Sequence, residues 1–114
     1  MQPVYASVAD ASGGAKYSNW VRFDDYAPNY ISIQCVADGT VDYTVEYTLD
    51  DPNSFTKPIA VNDVVWVASD DPDVVGATGN ATSNFIFAPA FARVKLNSGT
   101  GSVRATFLQS FGGV

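Results

Sequence analysis

Carboxylates are the side chains with which this chain could do chemistry, because it carries twelve of them and no histidine. Without histidine the commonest general base is missing, and neither a Ser-His nor a Cys-His pair can form. Acidic residues stand next to each other at three places, Asp24-Asp25, Asp50-Asp51 and Asp70-Asp71. Neighbours in an extended chain point to opposite sides, whereas glycosidase chemistry needs two carboxyl groups about 5 to 9 Å apart across a sugar. The sequence therefore predicts no catalytic residue, no cofactor and a protein that is not an enzyme.

The segment Asp70-Asp71-Pro72-Asp73 is the strongest candidate for an ion site in the sequence. Calcium prefers six to eight oxygen ligands, and a turn of this composition could supply several of them. The segment lacks both the Asp-x-Asp-x-Asp-Gly spacing and the distant bidentate glutamate of calcium-binding loops. Solvated turn carboxylates are therefore the favoured interpretation and no metal site is assigned, while calcium bound by Asp70, Asp71 and Asp73 stays the open alternative.

Cysteine and tryptophan suggest packing more than chemistry. Cys35 is the single cysteine, which excludes an internal disulfide and favours a small buried hydrophobe. Trp20 and Trp66 have two interpretations, since tryptophan either packs in a core or stacks on a sugar when exposed near loops. For Trp66, inside the apolar segment VVWVAS, core packing is favoured.

The overall charge and composition exclude several classes of partner. The net charge is −6 and the six basic residues are scattered singly, so the clustered cations that nucleic acids and anionic membrane surfaces require are missing. No apolar run approaches the roughly 18 residues that span a bilayer, and the N-terminus shows no signal peptide. A length of 114 residues, of which 46% are hydrophobic, predicts one folded domain.

Short strands separated by glycine, proline and aspartate are the main structural signal. From residue 41 to residue 49 every odd position is apolar or aromatic and every even position is polar, which indicates a strand with one buried face. Such segments with turn residues between them predict an all-β sandwich, jelly-roll-like, with seven to eight short antiparallel strands. The predicted strands are Asn19–Asp24, Tyr30–Ala37, Val41–Leu49, Asp63–Ala68, Asn84–Phe87, Phe91–Leu96 and Ser102–Gln109.

The parity of the apolar positions predicts how consecutive strands pair, since directly opposed residues share a face. A three-residue turn at 37–39 pairs Cys35 with Val41. A four-residue loop at 97–100 pairs Val94 with Val103. Both pairs of consecutive strands are thus expected to form hairpins.

Residues 1–17 are predicted to form an N-terminal arm or edge segment, and residues 18–114 a single β-sandwich domain. Two connections, Asp50–Asn62 and Ser69–Ser83, are long for a compact domain, and such loops tend to be functional or to belong to an interface. The arm and these loops are therefore expected to contact other subunits. The candidate interface residues are Val4, Tyr5, Pro52, Phe55, Pro58, Val74, Val75, Phe85, Phe87 and Phe111.

The order of the segments resembles that of small virion proteins encoded by tailed bacteriophages. The similarity covers about residues 30 to 109 and rests on ISIQCVADGTVDYTVEYTLDDPN, VVWVAS, NFIFAPAFARVKLNSGTG and SVRATFLQ. The resemblance implies a capsid decoration, or cement, protein that binds the outer capsid surface and stabilises contacts between major capsid subunits. Its partners would be the major capsid protein and copies of itself in a homo-oligomer. Its location would be the capsid surface of the virion, after synthesis in the host cytoplasm.

A carbohydrate- or receptor-binding β-sandwich of a phage tail or fibre is the alternative. Glycan binding would need exposed tryptophan or tyrosine beside aspartate or asparagine on one concave face. A decoration protein would need flat or extended contact surfaces and an oligomer.

Overall fold

The computed structural model describes residues 3–23, 30–53, 58–85 and 89–110 of the chain. Within these ranges the regular structure is β, apart from two 3-10 turns at Val61–Asp63 and Pro72–Val74. The strands of this part of the chain are β1 Val4–Ala9, β2 Lys16–Tyr17, β3 Val21–Arg22, β4 Tyr30–Asp38, β5 Asp42–Thr48, β6 Val67–Ala68, β7 Val75–Ala77, β8 Ala81–Phe85, β9 Phe91–Ser98 and β10 Ser102–Ser110.

Two antiparallel sheets form a β-sandwich, which confirms the predicted all-β fold class. The smaller sheet has four strands in the order β1-β10-β4-β8. In the larger sheet β9 pairs with β5, while β2 and β3 pair with different parts of β9, and β6 and β7 with different parts of β5. β2 and β3 together occupy one strand position beside β9, and β6 and β7 together occupy one beside β5. When the eight positions are numbered along the chain, their order is 1-8-3-6 in the smaller sheet and 2-7-4-5 in the larger one. This connectivity is that of a jelly roll, which contains two Greek keys.

The two predicted hairpins are wrong, because consecutive strands cross between the sheets instead of pairing. Cys35 of β4 lies opposite Ala105 of β10, and Val94 of β9 lies opposite Val45 of β5. The odd or even position of a residue identifies the face that its side chain occupies but not the strand beside it. The predicted hairpins and the observed pairing therefore bury the same residues. The apolar faces of β4 and β5 therefore oppose each other across the core.

The crossing from β4 to β5 and the crossing from β9 to β10 lie against each other at one end of the sandwich. The N–H of Gly101 donates to the carbonyl oxygen of Thr40 at 2.9 Å. The connection from β1 to β2 packs against them too, since the N–H of Ala11 donates to the carbonyl oxygen of Gly99 at 2.8 Å. A Cβ atom at Gly99 would overlap the Thr40 carbonyl oxygen, and one at Gly101 would overlap the Asp38 carbonyl oxygen. Gly99 also has a φ of 106°, a conformation that glycine adopts without strain. Glycine is thus required where the crossings touch.

The segment predicted as an N-terminal arm or edge segment contributes a strand to the fold. Val4–Ala9 forms β1 at one edge of the smaller sheet, where it pairs with β10. Its alternation places Ala6 and Val8 in the core and leaves Tyr5 and Ser7 exposed. Removing this segment would therefore remove part of the core, so point substitutions are the better test of its contacts.

The core consists of the inward-facing side chains of both sheets. Tyr43, Phe107 and Ile31 are the largest of its fully buried side chains, each with 0% of its surface exposed. The Phe23 and Phe107 rings pack edge to face, with their centroids 5.5 Å apart, a favoured geometry for aromatic pairs. This dense interior makes the sandwich a rigid support for the side chains on its outer faces and edges.

Candidate functional site

Aromatic rings and arginines form a cluster on the outer face of the larger sheet. Strand pairing assembles it, because β2, β3 and the chain entering β6 all deliver side chains to the face of β9 that points away from the core. We call this group the aromatic–arginine cluster, and its members are Tyr17, Trp20, Arg22, Trp66, Phe91 and Arg93.

Arg93 occupies the centre of the aromatic–arginine cluster. Its guanidinium carbon lies 4.0 Å from the centroid of the Tyr17 ring and 4.1 Å from that of a Trp66 ring, so the cation is in contact with two π systems. Its Nε donates to Oε1 of Glu46 at 2.9 Å, and only 15% of the Arg93 side chain and 14% of the Glu46 side chain are exposed. A pair this far from water is costly to break, because the remaining charge stays buried without compensation.

Trp20 links the two ends of the cluster. Its ring centroid lies 5.0 Å from that of Trp66 and 5.5 Å from that of Phe91, and both contacts are edge to face. Arg22 lies over Phe91 at 5.3 Å and pairs with Asp51, with 3.1 Å between Nη2 and Oδ2. The prediction that Trp66 packs in the core is therefore wrong, because Trp66 is half-buried on the outer face of the sheet.

Trp66 anchors a short strand at the edge of the larger sheet. The predicted strand Asp63–Ala68 is a strand only at Val67–Ala68. Asp63 ends a 3-10 turn, and residues 64–66 belong to no strand. Side chains alternate along an extended chain, so Val65 and Val67 point away from the face that holds Trp66. The contacts of Trp66 with Trp20 and Arg93 therefore fix the position of two valines that make few contacts of their own.

Four large apolar side chains lie exposed along this edge, and we call them the edge strip: Leu49, Val61, Val65 and Val67. Their exposed fractions are 68%, 59%, 65% and 44% in that order. Tyr47 pairs with Val67, and continuing this register along both chains sets Leu49 opposite Val65. Single exposed apolar residues are ordinary on a protein surface, whereas a contiguous group indicates a binding surface.

Carboxylates border the edge strip. Oδ2 of Asp50 accepts a hydrogen bond from the N–H of Val65 at 2.8 Å, and Asp51 pairs with Arg22 beside it. Asp63 lies in the 3-10 turn that begins at Val61. A partner complementary to this surface would be apolar at its centre and basic at its rim, since interfaces match opposite potentials.

The candidate interface residues that the structure describes lie on more than one surface. Tyr5 is 51% exposed on the smaller sheet, whereas Val75 is 40% exposed on the larger sheet. Pro58 is exposed, and Val4 and Pro52 are half-buried. These residues stay candidates, and none of them is a member of the edge strip.

Two of the predicted interface residues are core residues. Val74 is 0% exposed and Phe85 is 2% exposed. The prediction that they contact a partner is wrong, because a side chain buried within one chain cannot reach another. The remaining three candidates, Phe55, Phe87 and Phe111, lie outside the described residues.

The acidic segment at residues 70–73 forms a capped turn. Oδ1 of Asp71 accepts a hydrogen bond from the N–H of Asp73 at 2.9 Å, and its Oδ2 accepts one from the Ser83 hydroxyl at 2.8 Å. The Asp73 bond first, and then the Ser83 bond, lower the pKa of the Asp71 carboxyl. Across residues 3–23, 30–53, 58–85 and 89–110, no three carboxylate, thiol or imidazole groups lie close enough together to hold a metal ion.

Acid is expected to weaken the fold through Asp51 and Asp71. The largest causes of their lowered pKa values, below the ordinary 3.8, are hydrogen bonds from Arg22 to Asp51 and from the Asp73 N–H to Asp71. Such a carboxylate stabilises the fold fully above its unfolded pKa, near 3.9, and loses this effect as the pH falls through its folded pKa. The urea midpoint of the wild-type chain should therefore fall below about pH 4. An Asp51→Asn, Asp71→Asn double variant should show a smaller fall, and equal falls would contradict the assignment.

Cys35 is expected to be unreactive until the protein unfolds. It is 1% exposed in the core, and burial raises the pKa of its thiol from 9.0 to about 11. The higher pKa lowers the thiolate fraction at pH 8 about a hundredfold, and the thiolate is the reactive form. Labelling with a disulfide reagent at pH 8 should be slow in buffer and fast in urea. A Cys35→Ser, Thr82→Cys variant, with its thiol at an exposed site, should react fast in both conditions.

Sequence reasoning missed the main residues of the candidate site. The sequence patterns place Tyr17 in an arm and Leu49 on the buried face of a strand, whereas both are at least half exposed in the fold, at 50% and 68%. One signal was available in Val65-Trp66-Val67, where apolar side chains alternate to both sides of an extended chain. One of those sides cannot enter the core, so it must be covered by other side chains or left exposed.

Comparison of the chain with protein-family models, with curated proteins and with solved structures gave no match in any of the three. The described residues contain no helix long and apolar enough to cross a membrane.

Proposed function

We propose that this protein is a non-enzymatic capsid decoration protein of a tailed bacteriophage, and that its edge strip binds the outer surface of the shell. The observation that carries the proposal is a group of exposed apolar side chains at one sheet edge of a rigid jelly roll, with carboxylates beside it. Jelly rolls occur in viral capsid and lectin domains. Because a fold alone does not determine function, the resemblance of residues 30 to 109 to phage virion proteins is the second support.

The geometry of the edge strip suits repeated docking on a symmetric shell. Trp66 is held by Trp20 and Arg93, so Val65 and Val67 are presented in a fixed arrangement and little order is lost on binding. The strip is small, and one contact of this size would be weak. Many copies on one particle, each contacting neighbouring subunits, would still stabilise the shell because their effects combine.

Co-sedimentation with phage heads that lack this protein tests the proposal. Val65→Asp places a charge in the middle of the edge strip, and it should weaken binding to the heads about tenfold or more. Val75→Asp is the matched control, since Val75 is also an exposed strand valine, at 40%, and lies outside the strip, on β7 further along the β5 edge. Its binding should equal that of the wild-type chain.

Two results would overturn the proposal. One is a wild-type protein that stays in the supernatant when the heads sediment. The other is a Val65→Asp variant that binds the heads as tightly as the Val75→Asp control. Circular dichroism of both variants shows whether a loss of binding reflects a loss of folding.

A glycan-binding module is the second candidate, and the exposure of Tyr17 in the aromatic–arginine cluster favours it. Tyr17 is 50% exposed and lies next to the charged Arg93 and Lys95, and such rings stack on sugars. Retention on a glycan array that Tyr17→Ala abolishes, together with no binding to heads, would favour this candidate. No retention, together with co-sedimentation, would favour the decoration protein.

A further inference from the structure

The outer face of the smaller sheet differs sharply in chemistry from the rest of this acidic chain. Strand register places thirteen described side chains on it, and we call it the neutral face: Tyr5, Ser7, Ala9, Ser32, Gln34, Val36, Asp38, Thr82, Asn84, Ser102, Arg104, Thr106 and Leu108. Eleven of these thirteen side chains are uncharged and the two charged ones, Asp38 and Arg104, have opposite signs, although the chain carries 12 acidic residues and a net charge of −6. Tyr5, Val36 and Leu108 are large apolar side chains with 51%, 37% and 42% exposure. A neutral sheet face with exposed apolar groups has the composition of an interface centre.

Opposite charges lie close together at one end of the neutral face. Arg104 of β10 is opposite Val36 of β4, and Asp38 follows two residues further along β4, on the same face. Arg104 lies over the Tyr5 ring at 5.5 Å, and no ion pair joins it to Asp38 within the described chain. The surface therefore offers one positive and one negative group, each available to a complementary surface.

Association through the strand edge next to this face is blocked. An edge strand pairs with another chain through its free N–H and carbonyl groups. On β1 the Asn19 side chain already occupies two of them, since its Nδ2 donates to the Tyr5 carbonyl oxygen at 3.0 Å and its Oδ1 accepts from the Ser7 N–H at 3.1 Å. The face of the smaller sheet, and not its β1 edge, is therefore the surface open to a partner.

We propose that the neutral face binds the neutral face of a second copy of this chain, around a two-fold axis parallel to the strands between β10 and β4. This axis places β10 of one copy directly across from β4 of the other. Two residues that pair between β10 and β4 within one chain then also face each other between the two copies. Arg104 of each copy then lies across from the Val36–Asp38 end of β4 in the other, so two ion pairs form. Leu108 lies across from Ser32, which is its pairing partner within one chain. Two aligned sheets commonly pack in this way.

The charge distribution favours a second copy as the occupant. Copies of a chain with net charge −6 repel one another over most of their surface, and least where a neutral face meets a neutral face. The arrangement is self-complementary, because each Arg104 meets an Asp38. It also leaves the edge strips of both copies exposed at the same end of the dimer, so the two proposals are compatible but independent.

The expected dimer is weak. The face is four strands wide, about 19 Å, and about 20 Å long over the six residues of β1, which gives about 800 Å² for two copies. Stable complexes bury about 1,200 Å² or more. Self-association should therefore appear at high protein concentration, and on a shell that holds copies side by side it would be stronger.

Sedimentation velocity of the free protein over a concentration series, without heads, tests the dimer. The wild-type chain should form dimers, while Arg104→Asp and Asp38→Arg should each weaken dimerisation about tenfold or more. The double variant restores the charge pair in reverse and should return to within about threefold of the wild-type affinity. Val75→Asp, off the neutral face, should leave dimerisation unchanged.

The outcomes separate this proposal from the proposed function. A wild-type chain that stays monomeric up to about 1 mM, or a double variant no better than the single ones, overturns the dimer. Assembly into anything other than dimers overturns the two-fold axis. A wild-type chain that dimerises as expected but does not bind heads contradicts the decoration proposal alone.

Discussion

Replacing Gly101 with alanine should lower the free energy of unfolding by about 3 kcal/mol. The new Cβ atom would overlap the carbonyl oxygen of Asp38 and lie 2.9 Å from the nitrogen of Thr40. Both are backbone atoms, which cannot rotate away as a side chain can. The carbonyl oxygen of the same Thr40 accepts the N–H of Gly101 at 2.9 Å, so the clash also disturbs the contact between the two sheet crossings. Urea unfolding monitored by tryptophan fluorescence measures the loss.

Gly79→Ala is the matched control for this prediction. Gly79 belongs to the connection between β7 and β8, and a Cβ atom there would meet nothing within 4 Å. Its substitution should change the free energy of unfolding by less than about 1 kcal/mol. If Gly101→Ala were as stable as Gly79→Ala, the close contact between the two crossings would be wrong.

The fold class was predictable from the sequence because its signal is local. Residues 41 to 49 alternate strictly, and this pattern alone shows which side chains of β5 enter the core. The neighbours of β5 were not predictable in the same way. Val45 pairs with Val94, 49 positions later in the chain, and the hairpin with β4 that parity also allows does not form. Parity carries no information about which of several compatible strands lies beside another.

The candidate site was predictable only in part, because it depends on an edge. The segment VVWVAS is almost continuously apolar. A strand buried on both faces has the same pattern in sequence, so the pattern does not distinguish an edge from a core strand. In the fold this segment lies at the border of the larger sheet, where Val65 is 65% exposed. Its position follows from the long-range contacts of Trp66 with Trp20 and Arg93. Contacts between residues so far apart in the chain leave no periodic pattern.

Removal of the Arg93 side chain is expected to damage both stability and docking. Arg93→Ala leaves the Glu46 carboxylate, 14% exposed, without its partner at 2.9 Å, and it removes the cation from between Tyr17 and Trp66. Losing one partner of a buried ion pair costs about 3 to 5 kcal/mol, and the partial exposure here reduces the expected loss to about 2 to 3 kcal/mol. Urea unfolding measures this loss. Because Trp66 then loses a contact that holds Val65 and Val67 in place, binding to heads should weaken as well.

Lys95→Ala distinguishes the role of the stacked pair from a general effect of positive charge. Lys95 lies two residues along β9 on the same face, with its Nζ 5.9 Å from the Tyr17 centroid, and its loss should cost about 0.5 kcal/mol or less. Glu46→Gln combined with Arg93→Ala should be more stable than Arg93→Ala alone, since no buried carboxylate is then left unpaired. Equal stabilities for Arg93→Ala and Lys95→Ala would show that the pair does not stabilise the sheet. Unchanged binding of a folded Arg93→Ala variant would show that the edge strip does not depend on the cluster beside it.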